Sequence, residues 1–171
     1  MKATIKLERD GIEAEATLQL DGDALLARLR VANNGALNIE EAIFPWARGL
    51  APIDDNAIVW PHNGLRRIGD IFGKTTFGGD HHTWNESMQK IIGRYPQALA
   101  SAWCDYGNAA GGLAMEGRHT DFSILDFYLY KVVEKDRESV RRTLDFGISH
   151  PHRIKPGETW ESPPVRIYAH E

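Results

Sequence analysis

Three tryptophans, Trp46, Trp60 and Trp84, fall in the middle of this 171-residue chain, in a stretch that also holds Asn63, Asp80, His81, His82 and Asn85. A flat indole ring packs against the apolar face of a pyranose, while carboxylate, amide or imidazole groups at its rim exchange hydrogen bonds with the hydroxyls. These residue types suit carbohydrate binding, with Trp84, His81, His82, Asp80, Trp60 and Trp46 as the contact residues. Trp46 and Trp60 have a competing role, since each adjoins a proline, Pro45 or Pro61, and would plug the end of a packed core. Trp84, beside two histidines, is the exposed ring of the three. Trp103 lies among the small residues Ala100 and Ala102 and reads as core, and Trp160 follows Lys155-Pro156-Gly157 and reads as packing a last hairpin.

Other chemistries are less well supplied. Asp80-His81-His82 with Glu86, and His150-Pro151-His152, offer nitrogen and oxygen ligands but not the spacing of a zinc site, so no metal is assigned. Gly69 to Thr75 resembles a phosphate-binding loop one residue short between its glycines, and Thr76-Phe77-Gly78-Gly79 is a poor start for the helix such a loop needs. No nucleotide or other cofactor is expected. Glycoside hydrolysis needs two carboxylates about 5 to 9.5 Å apart across one sugar bond. The acids here sit mostly at turns (Asp21, Asp23, Asp54, Asp55) or on polar strand faces (Glu13, Glu15), as solvated groups do.

The elements that must position these residues are strands. Ile12, Ala14, Ala16, Leu18 and Leu20 alternate with polar residues, as do Leu25, Ala27, Leu29 and Val31, giving each run one apolar face. Asp10-Gly11 and Asp21-Gly22 are tight-turn signals, and Asn33-Asn34-Gly35 closes the next strand. From Pro45 to Gly93 the alternation fades into long loops around one or two short strands, with Thr83 and Glu86 fitting a capping box for a short helix. Strands return over Ala98–Asp105, Gly112–Glu116, Phe122–Val133, Ser139–Ile148 and Val165–Ala169. About ten strands with little helix make an all-β fold, an antiparallel two-sheet β-sandwich with long loops and at most one or two short helices.

Composition sets the remaining bounds. With 42% apolar residues, the length suits one core and a single domain over residues 1–171. Twenty basic against 24 acidic residues leave a net charge of −4, so neither nucleic acid nor an anionic membrane is an expected partner. Cys104 is the only cysteine, a small buried hydrophobe by default. The amino terminus alternates polar and apolar residues and no run approaches the roughly 20 apolar residues of a membrane span, so neither a signal peptide nor a transmembrane helix is read. The chain reads as soluble, with its compartment unassigned.

Four segments in order resemble the amino-terminal β-supersandwich (galactose-mutarotase-like) domain of large glycoside hydrolases, which precedes a catalytic (β/α)8 barrel. They are Val31-Ala-Asn-Asn-Gly with Ile43-Phe-Pro, then Val59-Trp-Pro-His-Asn-Gly, then Tyr95-Pro through Gly111-Gly-Leu, and last Ile154-Lys-Pro-Gly-Glu-Thr-Trp-Glu-Ser-Pro-Pro-Val. The resemblance implies a supersandwich-like fold, incomplete because that family has further strands ahead of a segment like Lys2 to Leu7. It also implies that a segment like Val165 to Glu171 leads into a barrel, so that this chain is an excised or standalone accessory domain of a carbohydrate-active enzyme. On that reading it is non-catalytic alone, its parent is a glycoside hydrolase, and its partners are carbohydrate and the barrel of the parent chain. The Gly78 to Met88 loop would face the sugar or the barrel.

Two alternatives come from other classes. A small aldose epimerase or lyase would use a histidine to protonate a ring oxygen and a carboxylate to take the anomeric proton. His119, Asp121 and His150 are its candidates, although a strand end with Asp121 capping the turn explains His119-Thr120-Asp121 more simply. The second alternative is a structural or homo-oligomerisation domain that pairs through exposed sheet edges.

Overall fold

The computed structural model describes residues 1–61, 64–72, 90–118, 122–135 and 140–171. In chain order the strands are β1 (Lys2–Arg9), β2 (Ile12–Asp21), β3 (Ala24–Asn33), β4 (Ala42–Leu50), β5 (Ala57–Trp60), β6 (Arg66–Gly69) and β7 (Lys90–Tyr95). They continue with β8 (Trp103–Asn108), β9 (Gly111–Gly117), β10 (Leu125–Lys135), β11 (Val140–His150), β12 (Thr159–Glu161) and β13 (Val165–His170). All pairings are antiparallel. A nine-stranded sheet runs β1-β2-β3-β13-β9-β8-β5-β6, with β12 also on β3, and a four-stranded sheet runs β4-β11-β10-β7. The chain is thus the expected all-β sandwich, and among the described residues there is no helix to cross a membrane.

Local chemistry sets the first hairpins. Asp10 (φ 53°) and Gly11 (φ 77°) both take positive φ, the geometry of a type I′ turn, and close β1 on β2 at Arg9↔Ile12. The next turn lies one residue later than expected. Gly22 (φ 65°) is its first central residue and Asp21 still pairs with Ala24, so glycine occupies the place a type II′ turn demands.

The core lies between the sheets. Leu125, Phe127 and Leu129 of β10 and Leu144, Phe146 and Ile148 of β11 point inward by alternation. They meet Ile58 and Trp60 of β5, Cys104 and Tyr106 of β8, Met115 of β9 and Val165 of β13. Each fully buried large side chain contributes about 1.5–3 kcal/mol of transfer free energy. A second cluster joins Leu29, Val31 and Ile154 to Ile12, Phe44 and Trp160 at the other end. Asn33, fully buried where β3 ends, ties the end of that strand to the segments around Leu37 and Ile154. Its amide nitrogen donates to the carbonyls of Leu37 (2.8 Å) and Ile154 (2.9 Å), and its side-chain oxygen accepts from the Gly35 N–H (3.1 Å).

Three expectations change. The strand placed at Ala98–Asp105 begins at Trp103, because turns occupy the preceding residues, held by Leu99 N–H to the Arg94 carbonyl and Ala100 N–H to the Pro61 carbonyl. Trp103 is not core: Cys104 and Tyr106 take the inward positions, so Trp103 and Asp105 face out and are half-buried. The Pro45–Gly93 stretch holds more strand than expected, for β4, β5, β6 and β7 all draw on it. The short helix read from Thr83 lies outside the described residues.

Cys104 is completely buried, and burial, followed by the charge of Asp105, pushes its thiol well above the ordinary range. A native sample should therefore leave Ellman-type reagents unreacted over hours at pH 8 and titrate one thiol after denaturation. Rapid native labelling would show that the β8 face opens.

Candidate functional site

On the outer face of the small sheet Asp126, Asp145 and Ser149 are buried beneath half-buried and exposed neighbours, and strand pairing decides what that face carries. Arg94 of β7 lies opposite Asp126 of β10, which lies opposite Ser149 of β11. One step along, Tyr128 faces Gly147, which faces Trp46 of β4, and beyond that Tyr130 faces Asp145. Directly opposed residues share a face, so Arg94, Asp126, Tyr128, Asp145, Ser149 and Trp46 form one surface while their neighbours fill the core.

Gly147 makes room for the aromatic centre of this surface. A Cβ there would lie 2.5 Å from the Trp46 ring and 2.8 Å from the Pro45 carbonyl, so the indole occupies the space a side chain would take. The Trp46 and Tyr128 rings lie 6.4 Å apart, tilted by 45°. Asp145 fixes the indole from below. Its carboxylate accepts from the Gly49 N–H (2.9 Å), Arg48 Nε (3.4 Å) and Trp46 Nε1 (3.4 Å). The pairing slips between Leu144 and Phe146, and Gly49 there takes φ 72°, which swings its amide toward Asp145.

The rim is polar and held in place. Arg94 grips Asp126 with two parallel bonds, Nε to Oδ1 and Nη2 to Oδ2, each 2.7 Å. Ser149 donates its hydroxyl to Glu41 at 2.6 Å. Burial raises the Tyr128 phenol, the charges of Glu41 and Asp126 raise it further, and Arg94 opposes them. Tyr128 is therefore a neutral hydroxyl at physiological pH, able to donate and to accept. Two rings with a rim of carboxylates, a guanidinium and a phenol are suited to holding a polyol. Asp126 and Asp145 are both committed to orienting protein groups, which fits binding better than acid–base turnover.

The sequence candidates are dispersed. Trp46 belongs to this face, within a strand and not a loop. Trp60 is 3% exposed in the core, so it cannot stack on a ligand. His150 is 1% exposed, with Nε2 2.8 Å from the Phe44 carbonyl and its ring edge-on to Trp160 at 5.5 Å. Such burial removes it from the role of a solvent-facing acid or base. His152 stacks on the same Trp160 at 5.4 Å, and the indole joins the second core cluster. Asp80, His81, His82, Trp84, His119 and Asp121 lie outside the described residues. Among the described residues no three His, Cys, Asp or Glu side chains gather as a metal-binding group.

Sequence reading missed a second polar cluster, on the outer face of the large sheet. His170 Nε2 lies 2.9 Å from Asp105 Oδ1, although β9 runs between their strands. Gly112, opposite His170, permits this: its missing Cβ would sit 3.0 Å from that same oxygen. Tyr168 adjoins the pair, with Arg166 over its ring at 5.1 Å, and burial followed by the charges of Glu116 and Asp105 raises its phenol. The only signal in the sequence was the alternation of Arg166, Tyr168 and His170, which says nothing of which strand lies two places away.

No protein-family model matches this sequence, and no curated protein sequence matches it significantly. The fold does match. It is that of a β-sandwich found in the amino-terminal region of family GH36 α-galactosidases. In particular, it superposes on an AgaA variant from Geobacillus stearothermophilus solved with stachyose, with a TM-score of 0.61 at 10% identity, covering 99% of this chain and 24% of that one. AgaB from the same organism gives 0.59 at 11%, over 99% and 23% of the two chains. A TPR-domain containing protein from Parabacteroides distasonis gives 0.56 at 14%, over 99% and 33%. At such identities the likeness is one of fold, and this chain spans about a quarter of the length of the α-galactosidases. The resemblance read from the four sequence segments thus agrees with the fold.

Proposed function

We propose that residues 1–171 are a single accessory β-sandwich module of a glycoside hydrolase type enzyme, non-catalytic alone, which rests against a catalytic barrel and touches carbohydrate. The observation that carries the carbohydrate contact is the Trp46–Tyr128 pair, two half-buried rings framed by Glu41, Asp126, Arg94 and Asp145 on the outer face of the small sheet. Asp80, His81, His82 and Trp84 are proposed as a second part of the contact surface. The fold neighbours support the setting: similar sandwiches lie inside much longer chains, and one was solved with stachyose.

Raffinose-type galactosides are the first glycans to test, by affinity electrophoresis and calorimetry. Trp46→Ala should weaken retention about tenfold, the loss of one stacking ring. Tyr128→Phe, which keeps the ring and the fold, should weaken it a few-fold by removing one hydroxyl. Unchanged retention in Trp46→Ala, Tyr128→Phe and Trp84→Ala would overturn the reading.

The Asp105–His170 pair favours one alternative, an aldose epimerase in which imidazole and carboxylate exchange protons with the sugar. Anomer interconversion lost in His170→Ala would select it.

A further inference from the structure

Strand β1 pairs with β2 on one side, and among the described residues no strand borders its other side. The Leu20 N–H donates to the Met1 carbonyl and the first hairpin closes at Arg9↔Ile12, so the odd-numbered residues of β1 turn their backbone groups toward β2. Lys2, Thr4, Lys6 and Glu8 accordingly direct theirs outward along an open edge. The side chains of these four share a face with Gln19, Thr17, Glu15 and Glu13, whereas Ala3, Ile5 and Leu7 continue the apolar face of Leu18, Ala16 and Ala14. Ile5 and Leu7 are 61% and 66% exposed, because the small sheet does not reach this far.

We infer that β1 is a homodimerisation edge, on which a second copy of this chain docks antiparallel about a two-fold axis through Ile5. The charge pattern of the strand selects that partner and that register. With Ile5 on the axis, Lys2 of each copy lies opposite Glu8 of the other, Thr4 opposite Lys6, and Ala3 opposite Leu7. Outward-facing residues then meet outward-facing residues, so the N–H and C=O groups from Lys2 to Glu8 complete a ladder. The two exposed apolar rows become neighbours, with Ile5 against Ile5 in a non-hydrogen-bonded pair where side chains approach most closely.

Neighbouring registers are worse. An axis through Thr4 opposes Lys2 to Lys6, and one through Lys6 opposes that residue to itself. An axis through Leu7 shortens the overlap and sets Ile5 against Arg9. A feature of the single chain points the same way. Glu8 sits directly opposite Glu13, a like-charge pair that costs stability, while the nearby Lys6 bonds Glu15 at 3.0 Å. Lys2 of the second copy would bring a cation to Glu8.

Light scattering after gel filtration, across micromolar to millimolar protein, tests this. Wild type should move from one to two chain masses. Thr4→Pro removes an outward N–H and leaves the bonds to β2 intact, so it should stay monomeric with an unchanged circular dichroism spectrum. Glu8→Lys should also be monomeric, and its folding is protected because it turns the Glu8–Glu13 repulsion into attraction. The double variant Lys2→Glu with Glu8→Lys should regain the dimer, since the cross-copy pairs are restored with signs exchanged; an axis through Leu7 would instead bring the cation introduced by Glu8→Lys against Lys6. A wild type that stays monomeric throughout, a dimer that survives Thr4→Pro, or a double variant that stays monomeric would each overturn the proposal.

Discussion

Asn33→Ala is expected to lower the unfolding free energy by about 2–3 kcal/mol in a denaturant titration. The residue is fully buried and its amide serves two carbonyls and one N–H, on segments more than a hundred residues apart. Truncation takes the side-chain donor from the Leu37 and Ile154 carbonyls and the acceptor from the Gly35 N–H; the Ile154 carbonyl keeps the Ile39 N–H and the other two groups are only part-buried, so the summed loss stays within the range of about 1–3 kcal/mol that one unmet buried group costs. Asn33→Asp should be at least as harmful near neutral pH, because it replaces both donors with an acceptor aimed at two carbonyls. A loss below about 1 kcal/mol for Ala would mean that water or a backbone shift serves these groups instead.

The second large effect is expected at Arg94. Asp126 is 3% exposed in its side chain and both its oxygens are taken by the guanidinium at 2.7 Å. Arg94→Ala strands that carboxylate, a change that costs about 3–5 kcal/mol for a fully buried pair. Because Arg94 is itself 46% exposed, water can reach the site, and a loss of about 2–3 kcal/mol is expected. Arg94→Lys should recover only part, since a point charge cannot make both bonds of the fork. Replacing both partners by apolar residues should cost much less than the single change, which a double-mutant cycle would read directly. Equal losses in the single and double variants would show that the pair acts through packing alone.

Much of the architecture is legible along the chain. The alternation in β2 and β3, the Asp10-Gly11 turn and the Asn33-Asn34-Gly35 closure all reappear in place, because each is a local signal with a local cause. What alternation cannot say is which face is inward when both faces carry large residues. In β8, Trp103, Cys104, Asp105 and Tyr106 offer an aromatic to either side, and the strand buries its tyrosine and sends its tryptophan out. The same ambiguity hid the outer face of the small sheet: Asp126, Tyr128 and Tyr130 alternate with Phe127 and Leu129, but only the pairing with β7, β11 and β4 assembles them with Arg94, Asp145 and Trp46. His170 and Asp105 meet because β13 and β8 flank β9, a consequence of topology that no spacing encodes.

The placement of β13 between β3 and β9 bears on how the protein is made. Ala27 pairs with Val165 and Val31 with Trp160, so the middle of the large sheet is closed by strands lying near opposite ends of the sequence. A ribosome releasing the chain from the amino terminus delivers the β1–β3 meander first and the β8–β9 hairpin later, and neither can join the other until β13 emerges. Until then β3 and β9 both present raw edges to the crowded surroundings, and the closing step carries a high loop-closure cost. Folding should accordingly be late and slow, and the nascent chain a natural client for holdase chaperones through the interval in which its last strand is missing.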